Sequence, residues 1–181
     1  MSGQAPSLSA HTNGGSPRRR QPLYTPEERI RRDASPWTTV QGVLAPFQFV
    51  VFAVSCFFVI RYLVTGEGQT IALYSVVFKT LVLYAIMVTG SIWEQVVFGK
   101  YLFARAFFWE DVFSMLVLAL HTLYLAAWAT GSLGPQALMQ LALAAYATYV
   151  INAAQFVFKL RMARLDQAQR EAPGTDKGIA A

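Results

Sequence analysis

Four apolar blocks, each long enough to cross a bilayer, constrain this chain more than anything else in it. They occupy residues 40–64, 70–98, 107–130 and 136–160. A hydrocarbon core about 30 Å thick takes roughly 20 helical residues to span. In lipid, every backbone N–H and C=O must be bonded within its own segment, so each block is predicted as a helix. The connectors TGEGQ and GSLGP are short and carry Gly and Pro where a helix must end. Such connectors force neighbouring helices antiparallel. The expected fold is all-α: a polytopic membrane protein with an antiparallel four-transmembrane-helix bundle over residues 40–164.

The flanks read differently. Residues 1–21, rich in Ser, Gly, Pro and Arg, offer nothing to bury and are expected to be a disordered basic tail. They lack the apolar run of a signal peptide. Residues 22–39 form an expected interfacial segment. In it Thr25-Pro26-Glu27-Glu28 has the pattern of a helix start: a capping Thr, Pro at the first helical position, acids in the first turn. A short interfacial helix over 26–34 follows, stopped by Ser35-Pro36, with Trp37 at headgroup level. Residues 165–181 are expected to be a cytoplasmic C-terminal tail. The lone Cys56 has no intrachain partner and suits packing.

The net charge of +5 is an orientation signal rather than a nucleic-acid signal. Thirteen of the fifteen Lys and Arg lie before the first span, between the second and third, or from Lys159 onward. The TGEGQ and GSLGP connectors hold none. Both termini are therefore predicted to be cytoplasmic.

Depth follows from a helical rise of about 1.5 Å per residue. Glu94 lies about one turn inside the cytoplasmic end of the second span, and Glu110 and Asp111 about one turn inside the third. Gln41 and Gln48 occupy the same slab of the first span, Asn152 and Gln155 that of the fourth. His121 lies about 15 Å deeper than Asp111, and Lys79 deeper still. At about 100° per residue, Glu110, Ser114 and His121 share a stripe. Gln41, Gln48, Ser55 and Tyr62 recur every seven residues, a polar seam that should face other helices. Intramembrane polar groups of this kind face the bundle interior or a wet cavity. A pocket open toward the cytoplasmic interface is expected.

Structural roles compete with functional ones. Glu110 and Asp111 begin a helix, where acids meet the positive end of its dipole. Glu94 has no such excuse near a helix C-terminus and needs a partner, with Lys100 and Arg105 in range. Asn152 and Gln155 also suit interhelical hydrogen bonding. Lys79 suits either snorkelling or interior pairing. The chain has no P-loop, GxGxxG, HExxH or GxSxG pattern.

Three stretches carry a resemblance: LYTPEERIRRDASPWTTVQGVLAPFQF, VTGSIWEQVVFGKYLFARAFFWEDVFSMLVLALHTLY and AAYATYVINAAQFVFKLR. Together they resemble the 3-vinyl bacteriochlorophyllide hydratases of bacteriochlorophyll biosynthesis, over about Leu23 to Arg164. The resemblance implies a hydro-lyase that adds water across the C3 vinyl group of a chlorophyllide or bacteriochlorophyllide, giving a 3-(1-hydroxyethyl) group. It implies a bacterial inner membrane, either cytoplasmic or intracytoplasmic and photosynthetic, and no cofactor of the enzyme's own, since magnesium arrives within the tetrapyrrole. No catalytic residues are carried over from the family.

Hydration needs a proton at the terminal vinyl carbon and a base for the water. Glu94 and Glu110 are the candidate acids, Asp111 an ionised group that orients water, and His121 either the base or an axial ligand to the substrate magnesium. Gln48, Trp93, Trp109, Asn152 and Gln155 are the candidate substrate contacts, with Phe107 and Phe108 beside them. Expected partners are the magnesium tetrapyrrole and membrane lipids, with no nucleic acid. A homodimer, or contact with other enzymes of the pathway, would help to enclose so large a substrate. From the residues alone, two other functions stay open: a non-catalytic pigment-binding or assembly protein using His121 on magnesium, and a small proton-coupled transporter relaying through Glu94, Glu110 and Lys79.

Overall fold

In the computed structural model, which describes residues 22–171, five helices follow one another: α1 Pro26–Ala34, α2 Pro36–Thr65, α3 Gln69–Phe98, α4 Phe108–Thr130 and α5 Pro135–Glu171. The tail expected over residues 1–21 lies outside the described residues, as does the chain beyond 171. Each boundary has a local cause. Thr25 closes a capping box with Glu28: the Glu28 N–H donates to Thr25 Oγ1 and the Thr25 N–H to Glu28 Oε2. Helices α2, α3 and α4 end on Gly66, Gly99 and Gly131, all left-handed, each N–H returning to a carbonyl of the last turn. Helix α5 continues through 165–171, into the segment expected to form the C-terminal tail, because Ala, Leu, Gln and Arg there are helix formers and no Pro intervenes before Pro173.

Four of these helices, α2 to α5, are long and apolar enough to cross a membrane. They form two antiparallel hairpins. Helix α2 packs along α3, α4 along α5, and contact between the hairpins is much thinner. The outward faces carry exposed Phe47, Val50, Phe57, Ile60, Leu81 and Leu123, as a lipid-facing surface requires. Polar groups turn inward. On α2 the heptad seam buries Gln48 and Ser55. Ser55 Oγ bonds Ser75 Oγ at 2.8 Å and Tyr146 Oη at 2.6 Å, joining three helices, and Gln41 Nε2 donates to Thr89 Oγ1 at 2.7 Å. Such bonds between spans are worth about 0.6 kcal/mol each on average.

The apolar core lies toward the α2–α3 turn, where Val59, Ala72, Val76, Tyr124, Met139 and Ala142 are buried together. At the other end, α1 folds back onto α3. Arg31 Nε–H donates to the Val97 carbonyl at 2.9 Å, satisfying an otherwise orphaned C-terminal acceptor. The Arg32 guanidinium lies 4.7 Å from the Tyr24 ring centre. Burial pushes the Tyr24 hydroxyl up from its ordinary value, and Arg32 opposes that shift.

Candidate functional site

Where the two hairpins meet loosely, at the α1 end, they leave a cavity of about 1170 Å³. Ordinary ligand pockets run to about 300–1,000 Å³, so this one admits a large molecule. All four long helices and the α1 segment contribute walls.

The acids of this wall are held by the α3–α4 connector. After left-handed Gly99 the chain doubles back, and Phe103 takes φ 59°, a left-handed conformation unusual for a non-glycine residue. Strain of this kind concentrates where the surroundings demand it. Here it aims two successive amides at two different side chains. The Phe103 N–H donates to Asp111 Oδ2 at 2.7 Å, and the Ala104 N–H reaches Glu94 Oε2 at 3.4 Å. Successive amides of one connector thus bring the Glu94 and Asp111 carboxyls together from α3 and α4. Both are buried, at 6% and 4% exposure, and both line the cavity. Like charges held side by side away from water repel, so such a pair is suited to carrying a transferable proton.

Glu110 has a different partner. Its Oε2 lies 2.6 Å from Lys159 Nζ, and it does not line the cavity, whereas Lys159 does. The expected meeting of Glu94 with Glu110 is thus replaced by Glu94 with Asp111. One residue of offset rotates Asp111 by about 100° on α4, toward α3. Asp111 is as deeply buried as Glu110.

His121 is also placed elsewhere. It is fully buried, does not line the cavity, and has both ring nitrogens engaged. Nδ1–H donates to the Val117 carbonyl at 2.8 Å, which leaves Nε2 to accept from Lys79 Nζ at 2.7 Å. Lys79 Nζ in turn lies 4.2 Å from the Tyr149 ring centre. This pair satisfies itself behind the deep wall. It leaves His121 no free nitrogen with which to act as a base or hold a metal.

Of the remaining candidates, Gln48, Trp93 and Asn152 line the cavity, with Gln41, Ser114, Tyr149 and Phe156. Asn152 Nδ2 donates to Ser114 Oγ at 2.8 Å. Trp93 Nε1–H donates to Thr38 Oγ1 at 2.9 Å, and its ring lies 5.8 Å from that of Phe107. Phe107 stacks on Phe156 at 5.7 Å and, with Tyr24 and Phe98, builds an aromatic cluster on that side. Trp109 is 67% exposed and Gln155 is outside the lining, so neither faces the cavity. Phe108 points outward as well. Lys159 and the two connector amides were missed by sequence reasoning. A lysine near the C-terminal end of the fourth span, with acids at matching depth, was an available signal for the first, but backbone donors leave none.

This arrangement can shelter a large, mostly apolar ligand, and it offers that ligand a buried carboxyl pair, with Lys159 and the charged side chains of Arg29, Arg32, Asp33 and Arg164 also in the lining. Comparison with known proteins supplies a family. The family described as 2-vinyl bacteriochlorophyllide hydratase matches residues 24–162. A protein of that name from Cereibacter sphaeroides is 64% identical over 156 residues, covering 86% of this chain and 95% of the relative. Another of the same name from Rhodobacter capsulatus is 63% identical over 154 residues, covering 84% and 89%. No solved structure matches.

Proposed function

The chain belongs to the 2-vinyl bacteriochlorophyllide hydratase family and is a membrane hydro-lyase of bacteriochlorophyll biosynthesis, and from that premise we propose that the Glu94–Asp111 carboxyl pair performs the hydration. (The vinyl group numbered 2 in the family name and 3 above is one substituent, counted under two conventions for the macrocycle.) The observation that carries the proposal is that two buried carboxyls in the cavity wall are held by successive backbone amides of one connector.

The chemistry balances with this pair alone. The carboxyl proton adds to the terminal vinyl carbon, where the π electrons form the new C–H bond. The inner carbon is left cationic, and the conjugated macrocycle delocalises that charge. A water oxygen then bonds to the inner carbon, and the proton it releases returns to the carboxylate. The pair ends as it began. The connector amides at Phe103 and Ala104 stabilise the carboxylate during the interval when its proton is gone, as fixed dipoles do without reorganisation. General acid–base help of this kind is worth about 10²–10⁴ in rate.

The enzyme brings no cofactor to this scheme, since magnesium travels inside the pigment. Phe107, Trp93 and Phe156 pack on the macrocycle edge, and Gln48 and Asn152 meet it deeper. Both termini face the cytoplasm, which places the cavity mouth, with Arg29, Arg32 and Arg164, on that side of the inner membrane.

Two measurements test this. Purified protein incubated with a 3-vinyl magnesium pigment should give a product heavier by one water on mass spectrometry. Pigment that binds and returns unchanged would support a carrier instead. Reporter fusions at the C-terminus and in the 131–134 connector should report opposite sides of the membrane, and matching signals would refute the orientation.

A further inference from the structure

Two buried acceptors in the cavity wall are without partners. Gln48 Oε1 and Asn152 Oδ1 make no hydrogen bond, although Gln48 is 2% exposed and Asn152 9%. Buried polar atoms in folded proteins are nearly always bonded, so each exception needs a reason. Both residues line the cavity.

They also belong to one level of it. The rings of Phe52 on α2 and Tyr149 on α5 touch, with centres 4.9 Å apart. Gln48 lies one turn from Phe52 toward the α1 end, and Asn152 one turn from Tyr149 in the same direction. The two amides therefore flank the cavity just below the ring contact that closes it. The Ser114 hydroxyl fixes the orientation of Asn152, because its oxygen accepts from Nδ2 and leaves Oδ1 turned away.

A pair of carbonyl oxygens can be satisfied only by a donor or a cation. On the hydratase premise, on which this inference rests, the ligand is a magnesium tetrapyrrole. Its four ring nitrogens are all on the metal, so it has no N–H to give. Its keto, ester and propionate oxygens only accept. The electron-poor centre on its face is the magnesium, a hard cation that takes oxygen ligands and readily keeps water. We propose that Gln48 Oε1 and Asn152 Oδ1 form the axial site for the substrate magnesium, with one oxygen on the metal or both on the water it carries. The site hangs the macrocycle by its centre. Its edge then reaches toward Glu94 and Asp111 at the α1 end, where the α2 side chain of Gln48 and the α3 side chain of Glu94 lean toward one another. Each side chain tilts toward the N-terminus of its own helix, and the two helices are antiparallel.

The test compares two pigments in each protein: a 3-vinyl magnesium chlorophyllide, and the same macrocycle with two protons in place of the metal. Full-length protein in detergent is titrated with each and pigment fluorescence is followed. The wild type should bind the magnesium pigment about tenfold or more tighter, the factor one charge-assisted contact supplies. Gln48→Leu/Asn152→Leu should bring that ratio to within about twofold, with affinity for the metal-free pigment kept. Because each ratio is taken within one protein, partial loss of folded material cancels. Should the double variant fail to fold, Gln48→Met and Asn152→Ala must each lower the ratio, and Gln48→Glu, which keeps an oxygen, must preserve it. A wild-type ratio near one overturns the proposal. So does a ratio that survives both leucines, even with turnover lost, since the amides would then hold the reacting water instead. Failure of the premise looks different: no hydrated product from the wild type, whatever the metal preference.

Discussion

Glu94→Gln changes one atom type in the cavity wall and little else. The amide keeps the length and planarity of the carboxyl. Its oxygen can still accept the Ala104 N–H, now at 3.4 Å, and its NH₂ can donate to Asp111. The fold therefore exchanges one hydrogen bond for another, and the stability change should stay within about 1 kcal/mol. What disappears is the transferable proton. If the pair is the acid, turnover should fall by about 10²–10⁴, a barrier increase of roughly 3–5 kcal/mol. Asp111→Asn should lose as much, because the two residues act as one unit and their effects should not add. Glu110→Gln is the control. It weakens the 2.6 Å contact with Lys159 at the rim but leaves the pair intact, and should lower turnover by less than about tenfold. The assay follows the hydrated product by mass spectrometry, with pigment binding measured alongside so that lost binding is not mistaken for lost chemistry. If Glu94→Gln and Asp111→Asn both keep more than about a tenth of wild-type turnover, the assignment of the acid is wrong. If Glu110→Gln is the most damaging of the three, the sequence-based pairing of Glu94 with Glu110 was nearer the truth than the geometry.

Three other outcomes follow from the packing. Gly99→Ala, at φ 75° with open space around its Cβ position, should cost about 1–2 kcal/mol from backbone strain alone, read as a lower thermal midpoint in detergent. Lys79→Met leaves His121 Nε2 without its donor, and His121→Leu leaves Lys79 without its acceptor. Each should destabilise by about 1–3 kcal/mol, the double variant by less than the sum, and turnover per folded molecule should hold in all three. A large loss of turnover with stability intact would return His121 to the chemistry. Arg31→Ala removes the contact to the Val97 carbonyl, and limited proteolysis should then cut within 22–35 faster, with the transmembrane part resistant.

Much of the fold was written in one-dimensional patterns. Blocks of lipid-compatible length specified the spans, Thr25 and its following Pro and acids specified α1, and the heptad seam from Gln41 specified which face of α2 turns inward. The site was legible only as a slab. Sequence position gave the shared depth of Glu94, Glu110, Asp111 and Asn152, because rise per residue is nearly constant. It did not give which acid meets which, since that depends on how α4 is rotated against α3, and a turn of about 100° exchanges Glu110 for Asp111. The stripe joining Glu110 to His121 is real on α4, but its two ends meet different neighbours, Lys159 on α5 and Lys79 on α3. The connector amides carry no side-chain signature at all. They depend on Phe103 adopting a conformation its residue type disfavours.

The division into two hairpins has a bearing on how the enzyme matures. Glu94 arrives with the first hairpin and Asp111 with the second, and the connector that supplies their amide donors is the segment between them. While only the first hairpin has left the ribosome and entered the bilayer, it holds a solitary acid and half a cavity. The two carboxyls come together only after the second hairpin docks. With this pair assigned as the acid, reactivity toward pigment is a property of the finished assembly. On that assignment, a half-made chain has no means of acting on the pigment.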